Sequence, residues 1–203
     1  MTEPTDSAVT ERSITAQSTA TLTTMPLTTM PLTIEPMRRR HLRGVIAIEQ
    51  QTNARPWSLG LFMGELRMPT SRAYVVALDR HHVVGFSGLM VTGDEGHVTN
   101  IAVHPDFRRM GIAARMMVAT MREAIERGVT AVTLEVRASN TPAQELYRRF
   151  GFAPGGIRRN YYAEVGEDAL IMWAHEVDSE PYRARLDEIR TGLARVRAEG
   201  RPA

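Results

Sequence analysis

Apolar residues recur along this chain with two periods, and the switches between them mark out the elements. TIEPM (33–37) predicts a short first strand, which Pro36 confines to a sheet edge. In residues 38–52, Leu42, Val45 and Ile46 share one helical face. Ser58 is placed to cap a second helix running to about Arg67. AYVVAL (73–78), VVGFSGLMV (83–91) and HVTNIAV (97–103) predict three strands separated by the turn-like DRHH and TGDEG. Residues 109–127 predict a helix with Ala113, Met117, Met121 and Ala124 as its apolar stripe and Gly128 as its stop. TAVTLEV (130–136) is the next strand, and Thr141-Pro142 opens a helix that ends at Gly151. Two more strands are expected around 152–163 and 169–175.

The last segment, from Ser179, predicts an amphipathic helix with Tyr182, Leu186, Ile189, Leu193 and Val196 as a heptad-like seam. That seam suits packing on the parent domain or a partner surface. Gly192 and the short length favour packing. A helix between strands 97–103 and 130–136 requires a right-handed parallel crossover. The predicted fold class is therefore mixed α/β (α+β), a mostly antiparallel sheet with one parallel βαβ junction flanked by helices. Residues 1–32 hold no aromatic side chain and repeat TTMPL, so they are expected to be a disordered tail. The expected organisation is a tail (1–32), one domain (33–178) and the amphipathic helix (179–203).

Composition narrows the function classes. At 203 residues, 43% hydrophobic and 24% charged, the chain suits one ordinary domain and excludes a fibrous or wholly disordered protein. It has no cysteine, so disulfides, thiolate metal sites and a cysteine nucleophile are excluded. Its six histidines are scattered, and no metal is expected. All 25 basic residues are arginine, which by itself reflects GC-rich coding. The net charge is +2 and no segment is strongly basic, so direct nucleic-acid binding is not expected. No signal peptide, transit peptide or transmembrane run is visible. A cytoplasmic protein, monomeric or weakly oligomeric and without membrane contact, is expected.

The chemistry concentrates in two places. The strand-to-helix junction NIAVHPDFRRMGIAARMM carries Arg108, Gly111 and Ala113 in the spacing R-x-x-G-x-A. Free N–H groups at a helix start form an anion site, which a glycine opens to close approach and arginines reinforce. An ordinary helix start beside solvated arginines has the same sequence. In LEVRASNTPAQELYRRFGF, Val132, Leu134 and Val136 share one strand face and Glu135 lies on the other. Glu135 is then either a solvated acid or, under a covering helix, an acid that must be paired or used. Asn140 can cap the following helix, and Tyr147 on it can pack as core.

VHPDFRRMGIAARMM resembles the acetyl-CoA-binding motif of the GCN-five-related N-acetyltransferases (GNAT superfamily). With IEQQTNARPWS, TNIAVHP, LEVRASN, LYRRFGF, IRRNYY and EDALIM, in order from about 33 to 175, it is similar to the RimI-type ribosomal-protein N-terminal alanine acetyltransferases. The resemblance implies the GNAT fold and acetyl-CoA as cosubstrate. It implies that Ile101, Ala102 and Val103 hold the pantetheine arm, with the Val103 N–H toward the thioester oxygen. Arg108, Arg109, Met110, Gly111, Ile112 and Ala113 would cradle the pyrophosphate, and Asn140 would lie near the cofactor arm. It implies Glu135 as general base, Tyr147 as the acid beside the sulfur, and Tyr161 and Tyr162 at the peptide entry. The chain departs from the family pattern at Arg108-Arg109-Met110, where Gln/Arg-Gly-Arg is more usual, and at Ala113, which replaces a second glycine.

The implied reaction is direct acetyl transfer, in a ternary complex, to the N-terminal amine of an alanine-first small-subunit ribosomal protein. An α-amine has an ordinary pKa near 7.7–8.0, against about 10.4 for lysine, and is the easier nucleophile. Two alternatives stay open: a small-amine acetyltransferase acting on an antibiotic or polyamine, and a non-catalytic acyl-CoA-binding module.

Overall fold

The computed structural model describes residues 32–198, with side chains to 195. Residues 1–31 of the expected 1–32 tail and the side chain of the seam residue Val196 lie outside that description, while Leu32 already belongs to the first strand. The elements are β1 (Leu32–Pro36), α1 (Leu42–Thr52), α2 (Leu59–Glu65), β2 (Arg72–Asp79), β3 (His82–Thr92) and β4 (Glu95–Val103). They continue as α3 (Ile112–Glu126), β5 (Ala131–Arg137), α4 (Thr141–Arg149), β6 (Ala153–Tyr162), β7 (Glu167–His175) and α5 (Glu180–Ala198). One sheet runs β1-β2-β3-β4-β5-β7-β6. Every neighbouring pair is antiparallel except β4–β5, which α3 connects. β1 is an edge strand, where Pro36 leaves no ladder bond unmade.

Alternation divides the core between the two faces of the sheet. Tyr74, Val76 and Leu78 of β2 pack with Leu42, Val45 and Ile48 of α1 and Phe62 of α2. Val75 and Ala77, one residue out of step, face Ile112 and Met116 of α3. Ser58 caps α2 by accepting from Leu61 N–H at 3.2 Å, and Asn140 caps α4 by accepting from Ala143 N–H at 3.2 Å.

Two expected boundaries move. The helix predicted from 109 begins at Ile112, because Arg109 (φ 60°) and Gly111 (φ 70°) are left-handed and hold the preceding residues in a loop. The helix predicted from 38 begins at Leu42, after a 3₁₀ turn over Arg39–His41. The α5 seam packs on the parent core: Tyr182, Leu186 and Leu193 are buried with Met117 and Met121 of α3 and Phe150. The Tyr182 hydroxyl donates to the Phe150 carbonyl at 2.7 Å, and Arg115 donates to the Leu193 carbonyl at 2.6 Å.

Candidate active site

β4 and β5 part company in the middle of the sheet. They pair only from Glu95–Ala131 to His97–Thr133, although β4 runs on to Val103 and β5 to Arg137. Beyond His97, β4 keeps β3 on one side, with Ile101 opposite Ser87, Ala102 opposite Phe86 and Val103 opposite Gly85. Its other edge has no strand partner among the described residues. Backbone amides so placed in a half-buried position call for a ligand or water. A β3–β4 register shift at Gly88/Leu89 marks a bulge beside Asn100, whose side-chain nitrogen is buried with no partner among the described residues.

Glu135 stands where the strands diverge. Val132, Leu134 and Val136 are buried on the α3 side, so alternation sends Glu135 to the opposite face. His97 projects from β4 on that face, and its Nε2 lies 2.6 Å from Glu135 Oε2. Arg158 of β6 reaches the other oxygen, Oε1, at 3.0 Å. The imidazole hydrogen bond from His97, with the charge of Arg158, holds the Glu135 carboxyl below its ordinary range against the opposing effect of burial. An ionised carboxylate only accepts hydrogen bonds, so His97 Nε2 carries the hydrogen and, in a neutral ring, Nδ1 keeps its lone pair.

Two tyrosines flank the pair. Tyr161 and Tyr162 meet edge to face at 5.1 Å, and the Tyr162 hydroxyl donates to the Glu135 carbonyl at 3.4 Å. The Arg158 guanidinium lies 5.5 Å from the Tyr161 ring centre, and Arg137 lies 4.9 Å from that of Tyr162. Burial, then Tyr161, pushes the Tyr162 phenol up to about 12. Tyr147 on α4 is buried beside Phe152, and burial followed by the nearby Tyr162 raises its phenol well above the ordinary value. It therefore stays protonated across the neutral range. No protein group hydrogen-bonds its hydroxyl among the described residues.

At the far end of β4 the chain turns through Pro105–Phe107 into the loop before α3. The amides of Arg109, Met110 and Gly111 donate to no backbone carbonyl among the described residues, and the first-turn amides of α3 have none within the helix. Arg108, Arg109 and Met110 are exposed there, Gly111 and Ala113 half-buried. Free amides so clustered at a helix start are a candidate anion site, and the loop follows directly on the open end of β4.

Residues 39–152 match the acetyltransferase (GNAT) family. The chain belongs to that family. A ribosomal protein bS18-alanine N-acetyltransferase of Salmonella typhimurium is 42% identical over 127 residues, covering 62% of this chain and 84% of that protein. Its namesake in Escherichia coli K12 is 38% identical over 128 residues, with the same coverage. The crystal structure of the ribosomal-protein-S18-alanine N-acetyltransferase from Escherichia coli aligns with a TM-score of 0.65 at 34% identity, covering 71% of this chain and 94% of that one.

The residues that the family resemblance singles out thus fall into three neighbouring groups. Glu135, Tyr161 and Tyr162 come together, with Tyr147 linked to them through Tyr162. Ile101, Ala102 and Val103 line the open strand edge. The stretch from Arg108 to Ala113 makes the loop and the start of α3, and Asn140 spends its side-chain oxygen on the α4 cap. Sequence reasoning missed His97 and Arg158, the two groups that touch the Glu135 carboxylate. Strand parity alone could have aligned His97 with Thr99. Nothing in the linear pattern joins it to a residue 38 positions away.

Proposed function

We propose that this protein is a RimI-type N-terminal acetyltransferase that transfers an acetyl group from acetyl-CoA to the α-amine of an alanine-first small-subunit ribosomal protein. The relatives named above act, by their names, on the alanine of ribosomal protein bS18. The observation that carries the reading is the Glu135–His97 pair beside Tyr161 and Tyr162 at the mouth of the β4–β5 split.

The free edge of β4 and the cradle before α3 suit a long ligand with amides at one end and phosphates at the other. Ile101, Ala102 and Val103 would take the pantetheine amides. The amides from Arg109 to Ala113, helped by Arg108, would take the pyrophosphate, and Asn140 would lie along the arm. Acetyl-CoA supplies the acetyl group as an activated thioester.

The remaining work belongs to the chain. Tyr161 and Tyr162 line the entry and bring the peptide amine toward Glu135. Both Glu135 oxygens are already engaged, so the amine proton passes to the Glu135–His97 pair acting as a unit, directly or through one water. The Val103 N–H would stabilise the negative charge that develops on the carbonyl oxygen. Tyr147, kept protonated by burial, would give its proton to the leaving sulfur. With no cysteine in the chain there is no cysteinyl intermediate, and transfer is direct within a ternary complex.

Mass spectrometry after incubation with acetyl-CoA tests the reading. An alanine-first peptide should gain one acetyl group at its free N-terminus, and an N-blocked peptide with an internal lysine should gain none. Glu135→Gln should lower kcat on the order of a hundredfold or more while calorimetric acetyl-CoA affinity holds. Acetyl-CoA binding with neither peptide modified would overturn the ribosomal-protein assignment in favour of a small-amine acceptor.

A further inference from the structure

Among the described residues, Arg158 is the one cation that touches the Glu135 carboxylate from the solvent side: its side chain is 54% exposed and that of Glu135 only 7%. One carboxylate oxygen faces His97 and the other faces Arg158. Arg158 also lies over the Tyr161 ring and so stands between the base and the peptide entry. The pattern matters because of what an acceptor amine is before it reacts. At neutral pH most of an α-amine is ammonium. A nearby buried carboxylate favours that charged form, and an ammonium has no lone pair with which to attack. A bare Glu135 would therefore trap its own substrate.

We propose that Arg158 is a positioning residue that prevents this trap: by occupying Glu135 Oε1 it withholds the oxygen with which a protonated acceptor would pair, so that the amine is held at the site in its neutral, nucleophilic form. The inference rests on Glu135 acting as proton acceptor for an α-amine. The surrounding charged and titratable groups leave this role to Arg158. His97 from β4 takes Oε2. Tyr161 and Tyr162, on β6 with Arg158, are phenols raised above their ordinary value, first by burial. Arg137 from β5 faces the Tyr162 ring, and Glu167 from β7 accepts from Ser139 N–H at 2.6 Å. The neighbouring Arg159 points to Asp168 at 4.0 Å instead.

Removing the guanidinium has a kinetic signature distinct from loss of structure. A trapped ammonium complex is tight and unreactive, so it lowers kcat and KM by the same factor and leaves kcat/KM unchanged. A rise of one unit in the bound amine's pKa corresponds to about tenfold in each at pH 7. With the alanine-first peptide, Arg158→Gln should show that paired fall. The ascending limb of its kcat–pH profile should move about one unit to alkaline pH and rejoin the wild-type plateau above it. Arg158→Lys, which keeps the cation, should restore both. An N-terminally trimethylated version of the peptide, a fixed cation with no lone pair, should bind Arg158→Gln about tenfold more tightly than wild type.

A fall in kcat at every pH with KM unchanged or raised, or equal affinity of both enzymes for the trimethylated peptide, would overturn the proposal. The same binding comparison on Arg158→Met guards against one glutamine variant that folds poorly. If the wild-type enzyme acetylates no α-amine, the parent reading fails instead.

Discussion

Arg109 holds a left-handed backbone (φ 60°) at the loop position where the family pattern usually carries glycine. An L-residue other than glycine holds that conformation at a cost of roughly 1–2 kcal/mol. Glycine adopts it freely but adds up to about 1 kcal/mol of unfolded-chain entropy. Arg109→Gly should therefore be neutral to stabilising by up to about 1 kcal/mol, whereas Arg109→Val should destabilise by about 1 kcal/mol or more. Thermal melts of the two variants check this, and a stabilised valine variant would contradict it. Residue roles were legible in unequal measure. Alternation put Glu135 on the less apolar strand face, and the family resemblance supplied the role proposed for it. Its partners His97 and Arg158 were not legible, because each comes from another strand and only the sheet register brings them to one carboxylate.

Among the elements, the apolar periodicities located the strands and helices to within a few residues, since each face must be buried to be stable. Ends were less legible. The α3 start was read three residues early, because the left-handed residues that delay it depend on the loop and not on local propensity. For α5 the seam was visible, while its destination was a choice between two surfaces. The structure places Leu186 at 2% exposure in the cluster of α3 and β5. Leu186→Ala should cost about 2–4 kcal/mol in chemical denaturation, as expected for a cavity in a core. A change below about 0.5 kcal/mol would mean that α5 contributes little to the fold.

For the whole molecule, His41 and Glu135, both turned inward, make stability fall on acidification. Burial, followed by the charge of Arg40, lowers the His41 pKa, so the unfolded chain binds a proton there first. The resulting stability is present above about pH 6.5 and is lost as the pH falls below it toward the lowered folded value. Glu135 is held low by its hydrogen bond to His97, so its contribution is present above the unfolded value near 4.5 and is lost below that. Melting temperatures should therefore fall in two steps on acidification. His41→Gln should flatten the upper step and Glu135→Gln the lower; a melting temperature that rises from pH 7 to pH 5 would contradict the upper step, and one that rises as the pH falls below 4.5 the lower. By itself the sequence determined the element order, the single parallel crossover and the family. These follow from local periodicity, from turn chemistry and from motifs that are contiguous in the chain. Only the tertiary structure decided where β4 and β5 separate, that Glu135 is clasped between His97 and Arg158, and that α5 closes over α3. Register and packing are set by contacts between distant segments, which no local pattern encodes.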